Sequence, residues 1–410
     1  MAVATNATPR RRPVPDPTVP TGAEILARAE RIAPDLVARQ AETEDRTYYA
    51  PDTHQAFREA GFYRILVPRR YGGYELGVDT FIRVVQTLTA ACPSTGWMYC
   101  LGSAHALAVG SLFPERAQAE LFADPDFICP ATVNPSGTAE RVDGGWRVSG
   151  TWNYCSGSPY ATHFMGHALV HPDDGGEPAP MLFVAPASQW RRLDDWGGQL
   201  GLRGSGSHSI TIDGAVVPEH LTLPHHLSQV DVTAGTPGRD LHGPEYGGGQ
   251  MSFMVLEDAV LALGMAQGAL AAYEELMAQR TTIFPPIQPR RADPDFQLWY
   301  GTAAGLIATA EAAVHNVISQ WQELTEAGPA AITPERELRL AAVCHEATQL
   351  CWRAVQGHLY PTAGSSAVRR GARMERIWRD MSMQHTHAGI AVYLGAIAKR
   401  ELARARFDVS

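Results

Sequence analysis

The chain has little cysteine and no clustered set of it. Its six cysteines, in 410 residues, stand at 92, 100, 129, 155, 344 and 351, never in CxxC spacing. That pattern predicts scattered reduced thiols in a cytoplasmic protein, not a disulfide framework. Cys344, His345, Cys351 and His358 share one predicted helix, but no zinc spacing is matched. A core cysteine pair with surface histidines is the preferred reading, and no metal is expected. An excess of positive charge is also missing. The formal charge of −9 argues against nucleic acid and against an anionic membrane surface. No apolar run approaches the roughly 20 residues that span a bilayer. The first residues, "MAVATNATPRRRPVPDPTVPTG", lack the apolar core of a secretory signal, and 1–21 read as a disordered tail. Phosphate and nucleophile motifs are absent too: no Walker loop, no GxSxG, no HExxH, and no glycine-rich turn inside a βαβ unit.

What is present falls into three stretches. Residues 22–125 are helical in pattern, with Thr21 as N-cap and Glu24 three residues on. "PDTHQAFREAGFYRILV" is a second amphipathic helix broken at Gly61, and two apolar helices follow, divided by Pro93. Residues 126–232 alternate with period two in short segments. The clearest is "GWRVSGTWNY" after an Asp143-Gly144-Gly145 turn. A Gly-rich connector spans 233–250, and 251–410 carries long Ala-rich helices that predict an antiparallel bundle. Small residues on those helices point to close helix approach within one chain or between copies.

Three segments hold candidate chemistry. "GLRGSGSHSI" gathers amides and hydroxyls from Arg203, Ser205, Gly206 and Ser207 in a loop suited to a phosphate or to a cofactor edge, against the plainer reading of a surface turn. "TWNYCSG" sets Trp152, Tyr154 and Ser156 on one strand face by the period-two rule, with Gly157 next. Such a face can stack on a ring, although a Trp–Tyr pair is more often core. His105 is a lone polar group in an apolar helix, the usual setting of a satisfied buried histidine. Trp97 and Tyr99, on the same helix, are candidate walls of a substrate pocket or core.

Together the segments resemble the acyl-CoA dehydrogenase fold over about residues 25–405: a helical domain, a β-barrel-like middle domain and a C-terminal four-helix bundle. "GFYRILVPRRYGGYELG", "GLRGSGSHSITIDGAVVPEH", "LGMAQGALAAYEEL" and "RIWRDM" carry the resemblance. Many dehydrogenases of that fold place a carboxylate base in a Glu-Gly pair eight residues after an Arg-Asp pair. Here, after Arg379-Asp380, Ala388 stands there, followed by Gly389. Glu257 matches a second location of that base and keeps an acyl-CoA dehydrogenase open as an alternative. The chain is more similar to the two-component, reduced-flavin-dependent monooxygenases (group D), among them the oxygenase component of p-hydroxyphenylacetate hydroxylase and dibenzothiophene monooxygenase. Their histidine follows Arg-Asp after six intervening residues, which is His387. The resemblance implies His105 as a substrate-side histidine, Thr132 where relatives carry a serine, and Ser156 beside flavin N5. The loop 201–208 would be the flavin-phosphate loop. It further implies reduced FMN or FAD delivered by an NAD(P)H:flavin reductase, O2 as co-substrate, and a C4a-hydroperoxyflavin that hydroxylates a small phenolic or polycyclic aromatic. A homotetramer or dimer is expected. Oxygenation of an amino-sugar nitrogen or a thiophene sulfur is the nearest variant.

Overall fold

The computed structural model describes residues 19–172 and 174–407; most of the predicted N-terminal tail lies outside them. The first helix, α1 (Gly22–Ala38), opens on the expected capping box. The Glu24 amide donates to Thr21 Oγ1 at 3.2 Å, and the Thr21 amide donates to Glu24 Oε2 at 2.7 Å. The pattern read as one helix breaks at Arg39 and resumes as α2 (Gln40–Arg46). The next helix, α3 (Pro51–Ala60), stops at Gly61, whose φ of 77° is the left-handed C-cap glycine favours. The apolar stretch gives three helices: α4 (Gly77–Ala91), α5 (Pro93–Ser103) and α6 (His105–Leu112), with α7 (Glu115–Leu121) behind them.

The middle of the chain forms one seven-stranded sheet. Its strands are β1 (Gly137–Val142), β2 (Gly145–Trp152), β3 (His163–Val170), β4 (Ala179–Pro186), β5 (Arg191–Arg192), β6 (Ile210–Pro218) and β7 (Thr222–Pro224). Their order is β5-β6-β2-β1-β3-β4-β7, and β1 with β3 is a parallel pair. The β1–β2 hairpin turns at Asp143-Gly144 as expected, pairing Val142 with Gly145.

After a short α8 (Pro237–Leu241), the bundle comprises α9 (Gln250–Gln279), α10 (Pro294–Ala327), α11 (Pro334–Ala354), α12 (Tyr360–Ala363), α13 (Arg373–His385) and α14 (Ala398–Phe407). One expectation is corrected here. Helix α9 is long and apolar enough to cross a membrane, but 83% of its most apolar window is buried inside the protein. It is apolar all round because it is the central helix, packed on α4, α5, α10, α11 and α13. All six cysteines are free and buried, and among the described residues no three His, Cys, Asp or Glu side chains could share a metal ion.

Glycine sets the approach of α9 to α4. A Cβ on Gly264 would lie 2.6 Å from Thr89 Cβ, and one on Gly268 would lie 2.5 Å from the Ala90 carbonyl oxygen. Substitution Gly264→Val therefore overpacks a rigid backbone contact. It is expected to destabilise the protein by about 1–3 kcal/mol, read as a lower urea midpoint.

Candidate active site

Asp380 is the organising group of the site. Of the Arg379-Asp380 pair only the arginine forms ion pairs: Arg379 binds Glu44 at 2.5 Å and Glu375 at 2.7 Å. Asp380 is buried and turned the other way. Its Oδ1 accepts the Leu202 amide at 2.6 Å, and its Oδ2 accepts the Ser94 hydroxyl at 3.1 Å. Ser94 Oγ in turn accepts the Gly204 amide at 3.3 Å. Gly201 is required beside this clamp, since a Cβ there would lie 2.0 Å from the Arg379 carbonyl oxygen. Helix α13 thus fixes the loop 201–207 of the sheet domain.

That loop carries a directed chain of hydroxyls. Ser205 Oγ donates to the Leu202 carbonyl at 2.7 Å, which uses its only proton. The 2.7 Å contact between Ser205 and Ser207 must then run from Ser207, and the 2.7 Å contact between Ser207 and Ser156 from Ser156. Trp97 Nε1–H donates to Ser156 Oγ at 3.0 Å. The order is Trp97 to Ser156 to Ser207 to Ser205 to Leu202. Ser156 keeps one lone pair for a further donor.

His387 stands beside this chain. Helix α13 ends at His385, so His387 is on the turn that follows, with its amide bonded to the Gln384 carbonyl at 2.9 Å. Gln384 Nε2 ties that turn to α9 by donating to the Asp258 carbonyl at 2.8 Å. The His387 ring meets Trp97 edge-on, centroids 5.6 Å apart. Its Nδ1 lies 3.9 Å from Asp258 Oδ1, an ion-pair distance too long for a hydrogen bond. His387 is half exposed and free to meet a ligand. His385, by contrast, stacks on Trp352 with ring centroids 4.6 Å apart.

His105 opens α6, eight residues beyond Trp97 of α5. Its Nδ1 bonds to the Cys129 carbonyl at 2.8 Å, which makes Nδ1 the donor and Nε2 an acceptor. Burial lowers its pKa to about 4, so the ring is neutral at pH 7. Thr132 follows Cys129 closely, and its Oγ1 is buried with no hydrogen-bond partner. An unpaired buried hydroxyl in a candidate pocket fits a ligand contact.

Four expectations need correction. Tyr99 is fully buried among Phe57, Phe62, Tyr63 and Phe81, with its hydroxyl on the Phe62 carbonyl; it is core and lines no pocket. Trp152 is likewise core, between Phe164 and Phe183, with Nε1 on the His167 carbonyl. The shared face of Trp152, Tyr154 and Ser156 does not form, because β2 ends at Trp152 and Tyr154 is left-handed at φ 62°. Tyr154 projects to the surface against Trp196 instead. Ser205, Gly206 and Ser207 are turned inward, so they form the wall behind Ser156 instead of an open phosphate cradle. Arg203 is half-buried, its Nε on the Gln199 carbonyl. Gly157, at φ 100°, lets its loop come within van der Waals contact of Gly102 on α5.

Sequence reasoning missed Asp258, Ser94, Trp196 and the clamping role of Asp380. Two surface grooves lie elsewhere. One of about 450 Å³ is lined by Arg280, Arg369, Arg370 and Arg373; another of about 620 Å³ lies over β2, β5 and β6. Neither touches the hydroxyl chain.

The residues present fit a flavin ring. Trp97 and His387 offer aromatic surface beside it, and Ser156 offers an oriented hydroxyl. The clamp also has a pH signature. Burial raises the pKa of Asp380 to about 7, against the Leu202 amide and the Arg379 charge, which lower it. Ionising it therefore opposes folding increasingly as pH rises from about 4 to 7. Asp380→Asn should gain stability relative to the wild type over that range, by on the order of 4 kcal/mol. Urea unfolding of both proteins at pH 4.5 to 8 measures the difference, and a gap that does not widen with pH would refute the raised pKa of Asp380.

The comparisons with known proteins identify the family and the fold. Acyl-CoA dehydrogenase domain profiles match residues 21–120 (N-terminal domain) and 257–392 (C-terminal domain). A pigment production hydroxylase of Rhodococcus sp. is 30% identical over 90% of this chain and 93% of its own. The oxygenase component of an FADH(2)-dependent resorcinol hydroxylase of Rhizobium sp. is 31% identical over 88% and 90%. Among solved structures, the HsaA monooxygenase of M. tuberculosis superposes with a TM-score of 0.85 at 26% identity, covering 95% of this chain and 98% of its own. XiaF from Streptomyces sp., in complex with FADH2 and glycerol, gives 0.85 at 25% identity over 95% and 96%. The chain belongs to the two-component, reduced-flavin-dependent monooxygenases of the acyl-CoA dehydrogenase fold, as an oxygenase component.

Proposed function

We propose that this oxygenase hydroxylates a small aromatic compound, with Ser156, His387 and His105 as its catalytic residues. The observation that carries the reading is the cluster of Trp97, Ser156 and His387, with Ala388 where a dehydrogenase of this fold holds its base. When bound, reduced FMN or FAD supplies two electrons with which one atom of O2 enters the ring and the other leaves as water. Trp97 and Ser156 would hold the cofactor, and the unused lone pair of Ser156 would accept a hydrogen bond from a proton-bearing nitrogen of it without removing the proton. His387 holds or gives a proton on the side where O2 reacts. A carboxylate there would repel the negative charge of reduced flavin in a low-dielectric site. His105, neutral with Nε2 free, takes the phenolic proton as the ring becomes nucleophilic, and Thr132 assists.

Glu257, the alternative dehydrogenase base, is buried. That burial and the neighbouring Asp258 raise the pKa of its carboxyl well above the usual carboxylate range. A separate flavin reductase delivers the cofactor. Exposed Ile283, Phe284 and Ile287 support association of copies into a homotetramer or dimer.

Purified protein with a flavin reductase, NADH and FMN or FAD should incorporate one atom of labelled O2 into a phenol, indole or polycyclic aromatic. Reduction of bound flavin by an acyl-CoA, with no labelled product, would overturn the proposal. In His387→Ala, hydroxylated product per NADH should fall by about tenfold or more while H2O2 rises. Unchanged coupling would remove His387 from the mechanism.

A further inference from the structure

The mechanism leaves one buried titratable group without work. Glu257 lies on α9, 3% exposed, and its Oε2 has no hydrogen-bond partner. A buried polar atom left unpaired costs about 1–3 kcal/mol, so a carboxyl in that state is a poor structural element. Its surroundings place it at the substrate region. Glu257 and Asp258 lie near the Cys100 thiol of α5, whose pKa is raised by burial and then by these two carboxyls. Trp97 and Leu101 on α5 and His105 at the start of α6 recur at four-residue spacing, with Cys100 beside Leu101 on α5. Asp258, the next residue on α9, faces His387. Glu257 therefore stands on the helix that packs against α5, next to the residue that faces His387.

We propose that Glu257 is a substrate-recognition residue whose carboxyl O–H donates a hydrogen bond to a hydroxyl or carbonyl oxygen of an uncharged aromatic substrate. The proposal rests on the oxygenase reading and deepens it. Ionisable groups around the carboxyl are Asp258, Cys100 and, beyond Asp258, His387. No arginine or lysine pairs with Glu257 among the described residues, so a substrate carboxylate there would be buried beside two acids without a counter-charge. A carboxyl that lacks a protein partner gains one when an oxygen-bearing ring enters, and that discriminates against rings lacking the oxygen.

The test uses the full-length protein, 2-naphthol as the uncharged probe and 6-hydroxy-2-naphthoate as its anionic counterpart. Binding is read from probe fluorescence without flavin turnover. The wild type should bind 2-naphthol at least about tenfold more tightly than the carboxylate. Glu257→Leu should weaken 2-naphthol binding by about tenfold, and Glu257→Gln, which keeps a donor, by only about threefold. Glu257→Leu should also match or exceed the wild type in urea midpoint, which a carboxyl with a structural role would not allow. In infrared difference spectra, a protonated-carboxyl band missing from Glu257→Gln should shift when 2-naphthol binds. Unchanged affinity in Glu257→Leu, or preference of the wild type for the carboxylate, would overturn the inference. Labelled product together with indifferent binding counts against Glu257 alone; absent product with intact binding differences counts against the oxygenase reading.

Discussion

The bond from the Leu202 amide to Asp380 holds two parts of the chain that are 178 residues apart. Through it the bundle fixes the position of a sheet-domain loop, and that loop fixes the serines. The Leu202 peptide is used on both sides: its amide goes to Asp380, and its carbonyl receives Ser205 and the Trp196 indole. Because Ser205 is committed, Ser207 and Ser156 are oriented in turn, and Trp97 closes the chain from α5. A change at Asp380 would thus reach Ser156 without touching it.

The second constraint is electrostatic. Around the site the ionisable groups are arranged to present little fixed charge. His105 is neutral through burial, burial and Asp258 raise the pKa of Glu257, and the position eight residues after Asp380 carries no carboxylate. Asp258 is buried beside His387, and burial raises its pKa while the imidazole lowers it. A site of this kind tolerates an electron-rich cofactor and an uncharged ring, and it withholds the base that dehydrogenation of a thioester needs.

Much of the fold was legible from local rules. The Thr21–Glu24 box, the stop at Gly61 and the Asp143-Gly144 hairpin are short-range signals, and each forms as its residues dictate. His387 was expected at the site from its spacing after Arg379-Asp380, and the structure packs it against Trp97. Period-two reasoning failed at Tyr154, where one left-handed residue ends the alternation and sends Trp152 inward and Tyr154 outward. Tyr99 and Trp97 are two residues apart on the same helix, and only tertiary packing tells core from site. Asp380 and Asp258 could not be read at all, because their partners are distant in sequence and nothing local marks a buried carboxylate as a clamp.

The directed hydroxyl chain is the central claim, and Ser207→Ala tests it most directly, since Ser207 orients Ser156 without being placed against the cofactor. Product formed per NADH consumed should be measured in the coupled assay for wild type and variant, with reduced-flavin affinity measured anaerobically in parallel. The account predicts lower coupling, with the loss appearing as H2O2, because Ser156 loses the acceptor that directs its proton. Coupling and affinity both equal to the wild type would contradict it.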